Sequence, residues 1–297
     1  MRVIMMLKSD AQAESGLPPD EKMLSDMGKY NEQLFAAGVL KGGEGLHAST
    51  HGARVRIAKG KTTIVDGPFA EAKELVAGFF LLETKTLQEA IDWALKIPGE
   101  PPSGEGEIEL RPLYETEDFP VDPAEQPGGW RDKEIEARQT LKDAGPSKGH
   151  RYISFLKADK NTESGTLVPS EKLLQEMGAL MQEMTEKGVL ISGDGLKPTA
   201  EGAKIFASKG KRWHAEGPFK ETKDIIAGFT VYRAKTKEEA IEWARRCLQI
   251  HIDGTGIDSG EIEVRRVHEI EDIPVSAGET SDGWRAKELE LREKLRQ

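Results

Sequence analysis

Two residues in the first half of this 297-residue chain have the types and placement for acid/base chemistry. Asp66 ends a predicted strand in Asp66-Gly67-Pro68-Phe69, and His47 ends a neighbouring one in Gly43-Glu44-Gly45-Leu46-His47. A carboxylate beside an imidazole can serve as base and partner acid, because imidazole titrates near neutral pH. The same segment also reads without chemistry. Asp66 would cap the following turn, Gly67 would take a backbone conformation that other residues avoid, Pro68 would stiffen it, and Phe69 would fill the core. Other polar residues gather at strand ends and turns as expected ligand contacts. Lys8 and Asp10 follow the first strand and return as Lys157 and Asp159; Glu71 and Lys73 follow Phe69; Glu216 stands where the second half repeats Asp66. Each also reads as a solvated strand end or a salt-bridged turn.

Several other chemistries are disfavoured. His47 and His51 have a metal-ligand spacing for a helix, but Ala48-Ser49-Thr50 between them reads as a hairpin loop, so no metal is expected. His214 and Glu216 alternate along a strand, which an exposed polar face explains. The single cysteine, Cys247, excludes an intrachain disulfide and falls in a helical pattern as a small, partly buried apolar residue. Gly60-Lys61-Thr62 lacks the earlier glycine of a phosphate loop and joins two strands. The segment Asp159 to Ser170 lacks the glycine and glutamate of a calcium loop. No dinucleotide fingerprint follows the first strand, so no cofactor is expected. A net charge of −10 argues against nucleic acid as a partner. No apolar run approaches the roughly 18 residues of a membrane span, and Met1 to Leu7 reads as a strand, not a leader. The cytoplasm is the expected location.

The elements that must position these residues occur twice. Gly38-Val39-Leu40, Gly67-Pro68-Phe69 and Ala77-Gly78-Phe79 return 150 positions later as Gly188-Val189-Leu190, Gly217-Pro218-Phe219 and Ala227-Gly228-Phe229. Further on the shift becomes 154: Gly106-Glu107-Ile108-Glu109 returns as Gly260-Glu261-Ile262-Glu263, and Glu117-Asp118 as Glu271-Asp272. So long a period means a duplicated domain. Within one copy, Arg2 to Lys8 reads as a strand. A helix opens after Pro18-Pro19-Asp20, carries Met23, Leu24, Met27, Leu34 and Phe35 at helical spacing, and closes at Gly38. Val39 to Leu46 and Ala53 to Ala58 read as strands; Lys59-Gly60-Lys61 turns the second back through Thr62 to Val65. Val76 to Glu83, a helix capped by Thr86, and Glu107 to Tyr114 complete the copy. This is the split βαβ, ferredoxin-like layout, an α+β fold with one sheet face left bare. The second copy is its natural cover, giving two tandem modules packed sheet to sheet as an intramolecular pair. The expected divisions are a first module over 1–118, a tail and linker over 119–148, a second module over 149–273 and a helical tail over 274–297. Trp130 and Trp284 would anchor the tails, which leave a route to further homodimerisation.

Asp66 to Glu74, together with Gly38-Val39-Leu40, Gly43 to His47 and the Gly78 strand, resembles the YCII-related family, in its DGPF-motif branch. The resemblance covers nearly all of the first copy and, more loosely, the second. It implies a ferredoxin-like dimeric α+β barrel with a cleft at the interface, suited to a small-molecule ligand. A few relatives resemble lyases that eliminate halide from aromatic substrates with a His/Asp pair. The family's histidine in the first helix is missing both from Met27-Gly28-Lys29-Tyr30-Asn31 and from Met177-Gly178-Ala179-Leu180. Members of the branch are often encoded beside alternative sigma factors, which implies a regulatory partner. The resulting expectation is a protein that binds a small molecule between its copies. The alternatives are a cofactor-free acid/base enzyme of lyase or isomerase type, with His47 and Asp66 at work, and an interaction module for a sigma factor. Glu216 replaces Asp66 and Lys197 replaces His47 in the second copy, so any activity should centre on the first.

Overall fold

The computed structural model describes every residue except 18, 100–103, 119–148, 166–169, 220–223, 273–278 and 297. Trp130 and the linker lie outside the described residues, as does the side chain of Trp284. The first copy runs β1 (Arg2–Lys8), α1 (Ala11–Glu14), α2 (Glu21–Ala36), β2 (Leu40–Gly45), β3 (Ala53–Ala58), β4 (Lys61–Asp66), β5 (Val76–Glu83), α3 (Leu87–Ala94) and β6 (Glu105–Pro112). The second runs β7 (His150–Lys157), α4 (Lys160–Glu163), α5 (Glu171–Glu186), β8 (Leu190–Gly195), β9 (Ala203–Ser208), β10 (Lys211–Glu216), β11 (Ile226–Ala234), α6 (Lys237–Thr255) and β12 (Ser259–Arg266), followed by the tail helix α7 (Glu279–Arg296). No helix among the described residues is long and apolar enough to cross a membrane.

Local chemistry explains most boundaries. Asp20 accepts from the Met23 N–H to open α2, and Thr86 accepts from Glu89 to open α3. Lys59-Gly60 and Lys209-Gly210 all have positive φ, as two-residue hairpin turns require. Gly67 is not held by φ. A Cβ there would overlap the carbonyl oxygen of Ser49, and one at Gly217 would overlap that of Thr199, so close backbone approach demands glycine. Phe69 does not fill the core: it is half-buried, with the Arg54 guanidinium 4.3 Å above its ring.

The α+β architecture expected from the sequence is present, with one rearrangement. There are two six-stranded sheets, in the orders β10-β9-β6-β1-β5-β2 and β4-β3-β12-β7-β11-β8. The β3–β4 hairpin has left its own copy to pair with β12, Val55 opposite Ile262. Reciprocally, β9–β10 pairs with β6, Ile205 opposite Ile108. The exchanged strands carry buried faces with them. Ala53, Val55 and Ile57 join the core beneath α5 and α6, and Ala203 and Ile205 join the core of the first sheet. The inner faces meet through Ile4, Met6, Phe79, Ile153, Phe155 and Phe229. Two single bridges, Leu46 to Val267 and Leu113 to Leu196, join the sheets at opposite corners. The tail helix α7 crosses back to the first copy, where Leu291 enters its core and Arg292 reaches Glu44 at 2.8 Å.

Candidate functional site

The Leu46–Val267 corner creates the site. The chain of β2 runs past Gly45 beside the end of β12, with the His47 N–H donating to Arg266 O (3.0 Å) and the His268 N–H to Gly45 O (2.9 Å). An antiparallel bridge places the residues just beyond it side by side. The rings of His47, from the first copy, and His268, from the second, are 3.8 Å apart between centroids. The 3-10 turn Ile270–Asp272 then folds Asp272 onto the pair, its Oδ2 lying 2.8 Å from His47 Nε2. His51, exposed on the turn after β2, brings its ring to 5.0 Å from that of His47.

Buried arginines hold the backbone of both histidines. Arg265 donates to His47 O at 2.7 Å while paired with Glu263 and Glu14, each at 3.3 Å. Arg151 donates to His268 O at 2.8 Å, with its other nitrogens on Glu269 (2.9 Å) and Glu44. Asp272 accepts from the Glu269 N–H at 3.0 Å and faces Arg266 at 3.4 Å. Burial pushes the His47 imidazole below its ordinary range, against the pull of Asp272. Burial, with His47 beside it, pushes His268 down to about 4. Burial alone would raise the Asp272 carboxyl, but the Glu269 N–H, His47 and Arg266 together hold it low. The cluster at neutral pH is therefore two uncharged imidazoles and a carboxylate.

The pseudosymmetric corner, Leu113–Leu196, repeats this framework with different side chains. Lys197 occupies the place of His47, Tyr114 that of His268, Glu201 that of His51, and Asp118 that of Asp272. Lys197 Nζ pairs with Asp118 at 2.7 Å, Arg111 donates to Lys197 O, and Arg2 donates to Tyr114 O at 2.9 Å.

The carboxylate that meets His47 is therefore Asp272. Asp66 sits exposed at the end of the exchanged hairpin, where its Oδ1 accepts from Lys237 Nζ at 2.5 Å. That contact at the start of α6 replaces the expected turn cap, because β4 lies against the second copy. Lys8 and Lys157 are largely buried, each 3.4 Å from a carboxylate, Glu109 and Asp224 respectively. Asp10 and Asp159 are caps, accepting from Ala13 N–H and from Asn161 and Thr162 N–H. Lys73 pairs with Glu105 at 3.1 Å on the surface, and Glu71 and Glu216 are exposed. Cys247 is buried as expected, its thiol pushed up to about 12 by burial. Sequence reasoning missed His268 and Asp272 as partners of His47. The repeat of Glu117-Asp118 as Glu271-Asp272 marked the carboxylate, but nothing local tied it to a histidine 225 positions away.

The sequence profile of the YCII-related domain family matches residues 1–117 and again 151–271. An uncharacterized protein of Rhizobium meliloti (strain 1021) is 37% identical over 94 residues, covering 32% of this chain and 75% of that protein. Among solved structures, a mutant chlorite dismutase from Candidatus Nitrospira defluvii in complex with cyanide aligns with a TM-score of 0.33 at 11% identity, covering 100% of this chain and 94% of that one. Another mutant of that enzyme aligns with a TM-score of 0.36 at 12% identity, with the same coverages.

Proposed function

The chain belongs to the YCII-related domain family, and on that premise we propose that it binds a small molecule where its two copies meet at His47, His268 and Asp272. The carrying observation is the 2.8 Å contact between His47 and Asp272, made across the copies by side chains that keep 15% and 23% of their exposure. A ligand can therefore reach groups whose backbone is already held by buried arginines, which lowers the ordering cost of binding. A thermal-shift screen of small carboxylates and phenols on the wild type and on His47→Gln tests this reading. Hits should stabilise the wild type and lose their effect in the variant, while surviving Lys197→Ala at the opposite corner. Hits that stabilise His47→Gln equally would overturn it.

The same contact favours acid/base catalysis as a second reading. An ionised Asp272 accepts from Nε2–H and leaves Nδ1 of His47 with its lone pair, the arrangement of a general base. Asp272 would then act as a positioning residue, and turnover of a hit compound should fall about 100-fold or more in His47→Gln.

A further inference from the structure

We propose that His47, His268 and Asp272 hold a divalent transition-metal ion between the two copies. One ligand atom from each residue lies within 4.8 Å of the others, and this is the one such group among the described residues. Two imidazoles and one carboxylate match the preferences of zinc and its first-row neighbours, with remaining positions open to solvent or ligand. The spacing argument that disfavoured His47 with His51 does not apply, because the ligands come from two strand ends and a turn in different copies.

A second observation points the same way. His268 Nδ1 is buried without a hydrogen-bond partner, although buried polar atoms are ordinarily paired. Coordination would supply the missing partner where a proton donor is lacking. The surroundings fit as well. The backbone of each histidine is fixed by a buried arginine, and Asp272 is oriented by the Glu269 N–H, so only the two rings need to turn when an ion arrives. For a zinc ion to sit about 2.0–2.2 Å from these atoms it must displace the proton that His47 Nε2 shares with Asp272, open their 2.8 Å gap by about half an ångström and swing apart the two rings, now 3.8 Å between centroids. Arg266, 3.4 Å from the other Asp272 oxygen, adds positive charge on that side, so the carboxylate is expected to bind through one oxygen. The opposite corner has Lys197 and Tyr114 in place of the two imidazoles and cannot form the same set.

This inference deepens the reading above, since a small molecule with an oxygen or nitrogen donor would complete the ion's coordination. Titrating the full-length, chelator-treated protein with Co2+ tests it. The expected result is a visible d–d absorption that saturates near one equivalent and is bleached by Zn2+. His268→Phe and Asp272→Asn should each weaken binding at least tenfold, with melting temperatures showing that both variants fold, and Lys197→Ala should leave binding unchanged. Absence of the absorption, or equal Co2+ affinity in wild type and His268→Phe, would overturn the proposal. The thermal-shift screen repeated with chelator separates the two readings. Hits that depend on His47 without metal leave the small-molecule reading standing and the metal unneeded; a bound metal without hits does the reverse.

Discussion

The two corners where the sheets join share a framework and differ in what it carries. At one, Arg265 and Arg151 grip the carbonyls of His47 and His268; at the other, Arg111 and Arg2 grip those of Lys197 and Tyr114. Each corner closes with an aspartate from the other copy, Asp272 or Asp118. In the first case the aspartate meets an uncharged imidazole; in the second it meets an ammonium that already neutralises it. Duplication preserved the backbone clamps, and only one corner combines donor atoms with a carboxylate free of a lysine partner.

If the clamps serve both corners alike, Arg265→Met and Arg111→Met should destabilise by similar amounts, about 2–4 kcal/mol each, because each removes one cation from a buried glutamate that keeps a second partner, Arg54 for Glu263 and Lys8 for Glu109. Urea denaturation measures this; a large effect at one corner alone would break the comparison. Gly67→Ala and Gly217→Ala should follow, each costing about 1–3 kcal/mol as the new methyl group displaces the Ser49 or Thr199 carbonyl. His47→Lys sharpens the comparison by recreating the second corner's ion pair with Asp272. Its stability should stay within about 1 kcal/mol of wild type, while Co2+ absorption and thermal-shift hits disappear. The smallest expected effect concerns another difference between the copies. Helix α6 is long enough to place buried His251 3.6 Å from Asp159, whereas α3 ends at Ala94. Burial pushes His251 below its ordinary value, against Asp159, so its neutral form stabilises the fold above the unfolded value near 6.5. That contribution should be lost progressively as pH falls below 6.5, because the unfolded chain takes up the proton first. The melting temperature should therefore drop less between pH 7 and pH 5 in His251→Gln than in wild type.

Much of the fold is legible in local pattern. Alternation in β3 turns half-buried Arg54 and exposed Arg56 to one face and buries Val55 and Ile57 on the other, which announces a half-buried strand. It does not say whose helices cover the buried face, since the same alternation satisfies either sheet. The turns are legible for a different reason: Lys59-Gly60 and Gly67-Pro68 meet backbone requirements within a few residues. Gly67 shows the limit of that reasoning, because its need for a missing side chain comes from a carbonyl 18 positions earlier and not from its own dihedral angles.

The site divides in the same way. The sequence by itself determined the duplication, the element order, the ferredoxin-like α+β class and the inequality of the copies, with His47 facing Lys197 across the repeat. These follow from residue type and period, which act over short stretches of chain. Only the tertiary structure decided that the hairpins change sheets, that Asp66 answers Lys237, and that His47 finds His268 and Asp272. Those pairings join residues from about one hundred to more than two hundred positions apart, and their geometry is set by the two sheets burying their faces against each other.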